Sequence, residues 1–88
     1  MGYHLVPTIL ARNGFRVRVL GPPREHPPPH VHVTKGKVGL VIIRLPLDES
    51  PPLVWKAYDM KRSDILRAYR LIEDHSPLLL AAWMKLHG

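Results

Sequence analysis

The sequence predicts an α+β fold: a small antiparallel sheet of four or five strands followed by two C-terminal helices packed on one face. Short segments alternate apolar and polar residues with the period of a half-buried strand. Segments rich in glycine and proline separate them, and the last third changes to helical spacing. The 88 residues fit one domain, residues 1–88. A chain of this length buries only roughly 60 to 65% of the surface that its unfolded form exposes, so its core is thin.

Thr8 to Ala11 is a short apolar run followed by Asn13-Gly14, the dipeptide best suited to a type I′ hairpin. Beyond it Phe15, Val17 and Val19 alternate with Arg16 and Arg18, which places two arginines on the outer face of a strand. Residues 21–29 hold five prolines in nine positions and predict a stiff extended loop. Alternation returns at His30 to Thr34, with Val31 and Val33 on one side and His30, His32 and Thr34 on the other. Lys35-Gly36-Lys37 turns the chain into Val38 to Arg44, whose nearly unbroken apolar run predicts a central strand covered on both sides. A loop from Pro46 to Pro52 leads to a further short strand, Leu53 to Ala57. Ile65, Leu66, Tyr69 and Ile72 then recur at helix spacing, with Ser63 or Asp59 as the candidate cap. Ser76-Pro77 starts a second helix, in which Leu79, Leu80, Trp83 and Leu86 form an apolar stripe to lie on the sheet.

Composition narrows the function classes. There is no cysteine, which excludes disulfides, thiolate metal sites and a cysteine nucleophile, and fits a reducing, cytoplasmic setting. Met1 to Pro7 holds no apolar stretch of signal-peptide length, and Val6 stands where myristoylation expects serine or threonine. The apolar runs Val38 to Ile43 and Leu78 to Met84 fall far short of the roughly 20 residues that span a bilayer, so no membrane role is expected. Thirteen Lys and Arg against seven Asp and Glu give a net charge of +6, which favours RNA, DNA or an acidic protein as partner. Arg16, Arg18 and Lys35 are the candidate nucleic-acid contacts. No phosphate-binding glycine loop, serine-nucleophile motif or metalloprotease motif occurs.

The sharpest signal is H-x3-H-x-H at His26, His30 and His32, three of the six histidines within seven residues. Strand geometry sets the α-carbons of His30 and His32 about 6.6 Å apart on one face, within reach of one ion or phosphate. Glu25 is the adjacent carboxylate. Three chemistries suit the cluster. His30 and His32, with His26, can transfer protons in phosphodiester cleavage without a cofactor, since histidine titrates near neutrality. Alternatively, the same three bind zinc or another divalent metal with water in the fourth position. Finally, they can be half-exposed strand residues whose hydrogen bonds fix the loop. Trp83 and Tyr69 fall at core spacing, Trp55 is more open, and His4, His75 and His87 are isolated.

The opening Pro7-Thr8-Ile9, the segment Glu25-His26-Pro27-Pro28-Pro29-His30-Val31-His32-Val33 and the late Trp83 resemble the bacterial family called domain of unknown function 4160. The resemblance runs from Pro7 to about Leu86 and rests on the histidine segment, from which Pro27 departs where asparagine is usual. It implies a small sheet followed by two helices, and a gene setting often like that of toxin and antitoxin pairs. The resulting expectation is a toxin-like component of a two-gene module, acting on RNA as a metal-independent ribonuclease through the histidine cluster, or paired with a cognate acidic antitoxin-like protein. The alternative is a non-enzymatic binding module, metal-stabilised or not, for an acidic protein or nucleic acid.

Overall fold

Asn13 and Gly14 both take positive φ, 53° and 83°, the backbone that a type I′ turn demands and that glycine adopts without steric cost. They join β1 (Thr8–Arg12) to β2 (Phe15–Arg18) in a hairpin. The computed structural model describes residues 8–22 and 25–87; His4 and Pro7, singled out in the sequence, lie outside the described residues. β3 (His30–Lys35), β4 (Gly39–Arg44) and β5 (Leu53–Tyr58) complete a five-stranded antiparallel meander in chain order. Two helices follow, α1 (Arg62–Asp74) and α2 (Ser76–His87). The α+β arrangement predicted from the sequence is the one observed.

Cross-strand register sorts the side chains. Val17, Val33 and Val41 are successive partners across β2, β3 and β4, and all three are fully buried. With Val31 and Ile43 they form one cluster with Ala68 and Ile72 of α1 and Leu79 and Trp83 of α2. Each of the buried valines, isoleucines and leucines contributes roughly 1.5–3 kcal/mol through burial. The other rows run Arg18–His32–Ile42–Lys56 and Arg16–Thr34–Leu40–Tyr58. None of those residues is buried. The expected cover on both sides of β4 is therefore corrected: Leu40 and Ile42 are only half-buried, because the helices gather over the Val41 and Ile43 side. The central strand by order is β3.

Helix details differ from the expected pattern in three places. Lys61 is the N-cap of α1 and makes no side-chain cap bond, so neither Ser63 nor Asp59 caps it. Asp64 in the first turn supplies the negative charge that the helix N-terminus favours. The buried stripe of α1 is Asp64, Ala68 and Ile72, whereas Leu66 is exposed. In α2 Leu79 and Trp83 are buried and Leu86 is not. The Tyr69 hydroxyl donates to the Pro52 carbonyl at 2.8 Å, tying α1 to the entry of β5.

Candidate functional site

Antiparallel order brings the end of β2, the start of β3, the end of β4 and the start of β5 to one edge of the sheet. The last turn of α2 reaches the same edge, where His87 Nε2–H donates to the Leu20 carbonyl at 2.8 Å and the His87 ring stacks on Trp83 at 3.6 Å. His87 is thus engaged, contrary to the isolation expected of it. His75 likewise donates from Nδ1 to the Leu71 carbonyl at 2.9 Å.

His30 is the first residue of β3 and is 4% exposed. Its ring centroid lies 5.0 Å from that of Trp83, 5.4 Å from Trp55 and 5.5 Å from His32. Nδ1 stands 2.9 Å from the Pro28 carbonyl. A carbonyl can only accept, so Nδ1 carries the proton and Nε2 of the neutral ring presents a lone pair. That lone pair faces Glu25 Oε1 at 2.7 Å. Two acceptors attract at that distance only when positive charge stands on or between them, either a second ring proton or a cation.

Glu25 comes from the proline-rich loop and offers its second oxygen to His32. Nε2 of His32 lies 3.6 Å from Oε2, beyond hydrogen-bond reach, and it is buried with no hydrogen-bond partner among the described residues. Burial holds the His32 ring below the ordinary histidine range, against the upward pull of the Glu25 carboxylate, with His30 adding to the depression. Burial thus favours the neutral form of the His32 imidazole. One ligand atom from each of Glu25, His30 and His32 lies within 4.8 Å of the others.

The sequence-predicted residues divide accordingly. The structure brings His30 and His32 together with Glu25, while His26 is exposed and outside this group. His30 is buried, and its two ring nitrogens face the Pro28 carbonyl and the Glu25 carboxylate. Arg18 stands directly opposite His32, and Arg16 opposite Thr34. Lys35 instead bonds Asp64 Oδ1 at 3.0 Å and lies over the Phe15 ring, engaged with the helix layer and away from those arginines. A shallow groove of about 650 Å³ adjoins Arg18, lined by Arg12, Arg16, Arg18, Lys37 and Thr34 among others, with no carboxylate in its wall.

The segment that builds this centre falls inside the stretch matched by a known family. The sequence profile described as Domain of unknown function (DUF4160) matches residues 14–84. The chain belongs to the DUF4160 family. No curated protein and no solved structure matches it. In this DUF4160 chain Arg12, Lys37 and Lys56 escaped the sequence reading, because their place depends on strand register. Alternation could have flagged Lys56, but its alignment with His32 two strands away needed the pairing of β3, β4 and β5.

Proposed function

We propose that this DUF4160 protein binds RNA along its uncovered sheet face, as a toxin-like component of a two-gene module. The observation that carries the reading is the groove in which Arg12, Arg16, Arg18 and Lys37 line one concavity. None of these four cations forms an ion pair with a carboxylate among the described residues. Arg18 and Lys56 extend the same charge across the sheet on the row that contains His32. Free guanidinium groups at strand spacing suit successive phosphates, since a planar fork pairs with phosphate oxygens two at a time. Tyr58, exposed on the neighbouring row, offers an aromatic face on which a base can stack. The net charge of +6 adds attraction to a polyanion at a distance.

Fluorescence anisotropy of a labelled single-stranded RNA, titrated with protein at several salt concentrations, tests the reading. Affinity falls as salt rises, because each phosphate neutralised releases counterions. The Arg16→Ala, Arg18→Ala double variant binds more weakly and with a shallower salt dependence, and growth inhibition on induced expression weakens with it. Absence of binding by the folded wild-type protein at low salt, or an unchanged salt dependence in the double variant, removes the proposal.

A further inference from the structure

We infer that Glu25, His30 and His32 form a binding site for one divalent transition ion of the zinc type, taken by the Glu25 carboxylate and the Nε2 atoms of the two histidines. This goes beyond the RNA reading and does not depend on it.

Four features of the cluster agree. First, Nδ1 of His30 is tied to the Pro28 carbonyl at 2.9 Å, which fixes the tautomer and aims the Nε2 lone pair inward. Metal-binding histidines are held in this way, by giving the remote ring proton to a carbonyl or carboxylate. Second, that lone pair meets a carboxylate oxygen at 2.7 Å, an arrangement that requires positive charge. Third, His32 Nε2 is buried and has no hydrogen-bond partner among the described residues, although it lies 3.6 Å from the same carboxylate. A buried imidazole nitrogen left without a partner costs about 1–3 kcal/mol. A proton shared by Glu25 and His30 leaves that cost standing, whereas an ion between the three groups satisfies His32 as well. Fourth, the donor set is two imidazoles and a carboxylate on a chain without cysteine, a combination suited to zinc and its neighbours and poor for magnesium or calcium.

The spacing suits an ion too. Three ligand atoms at tetrahedral angles, each about 2.0–2.1 Å from a metal, lie roughly 3.3 Å apart. The three donor atoms here lie within 4.8 Å of one another, so small side-chain rotations reach that separation. His30 is anchored between Trp83 and Trp55, and the Glu25 and His32 side chains are 25% and 18% exposed, so the ion enters from their side. Three protein ligands leave a fourth position for water. His26 is exposed and takes no part.

The test is binding of Zn²⁺ to the purified full-length protein at pH 7.5 by calorimetry, with metal content after dialysis by mass spectrometry. Co²⁺ substitution gives a second readout, the visible absorption of a four-coordinate site. RNA is absent throughout, so the result is separate from the fate of the RNA reading. Because loss of buried His30 threatens the fold, the decisive variants are His32→Ala and Glu25→Ala, each checked for native circular dichroism. One ion per wild-type chain is expected. Each variant weakens binding by more than the roughly 10- to 100-fold that loss of an outer-shell partner costs, and His26→Ala leaves it unchanged. No binding by the wild type overturns the inference, and so does binding that survives His32→Ala and Glu25→Ala or that disappears with His26→Ala.

Discussion

Glu25 Oε1 and His30 Nε2 meet at 2.7 Å, and this contact fastens the proline-rich loop to the first residue of β3. The same His30 ring lies 5.0 Å from that of Trp83. Truncating His30 strands the Pro28 carbonyl and the Glu25 carboxylate and opens a void beside Trp83. His30→Ala is expected to lose about 2–5 kcal/mol in urea denaturation. His32→Ala, half-buried and without a hydrogen bond to lose, is expected to cost under about 1 kcal/mol in metal-free buffer. Equal costs for the two variants would contradict this division of roles.

Asp64 carries the clearest dependence of stability on pH. The Lys35 ammonium at 3.0 Å, aided by Lys61 and Arg67, holds its carboxyl below the usual carboxylate range. A carboxyl whose folded value lies below its unfolded value, about 3.9, stabilises the fold above the unfolded value. That contribution is lost as pH falls through the folded one. The melting temperature of wild type minus that of Asp64→Asn should thus be largest near pH 7 and shrink below about pH 4. A difference that stays constant from pH 7 to pH 3 would show that the pair contributes nothing.

Trp83 joins the core to the candidate centre, since it is 2% exposed and touches both His30 and His87. Trp83→Ala should cost roughly 3–5 kcal/mol, a large share of what so small a domain has. Trp55→Ala, at 42% exposure, should cost much less. Thermal melts of the two variants rank them directly.

Lys35 and Arg16 both stand in the β2–β3 ladder yet should respond in opposite ways. Lys35→Met breaks the bond to Asp64 and should lower the melting temperature while leaving RNA affinity nearly unchanged. Arg16→Ala should leave the melting temperature within a degree or two and flatten the slope of log affinity against log salt by about 0.7, one single-strand phosphate contact. Loss of RNA affinity in the Lys35 variant, with its fold intact, would move the interface to the helix-covered side.

At pH 7.5 an added chelator should also lower the melting temperature of protein loaded with zinc, since an ion that binds only the folded state adds stability by mass action. Unloaded protein should show no change.

The strands, their turns and the two helices were legible in the sequence because local rules decide them. Asn13-Gly14 can only turn tightly, the Phe15-to-Val19 alternation has the strand period, and Ser76-Pro77 restarts a helix. The sharing of a face by His30 and His32 follows from the same period, and so did the placement of Arg18 on the outer side of its strand. What needed the tertiary structure was every relation across strands or between layers. His26 stands closer to His30 in sequence than Glu25 does, yet the fold of the loop selects Glu25. Lys35 and Arg16 look alike as strand cations, and only the docking of α1 commits Lys35 to Asp64. The apolar run of β4 reads as buried on both sides, but helices amount to one layer and leave Leu40 and Ile42 half-covered. Local periodicity fixes which way a side chain points from its own strand; which partner it meets depends on register and packing summed over the whole chain, and no single segment encodes that.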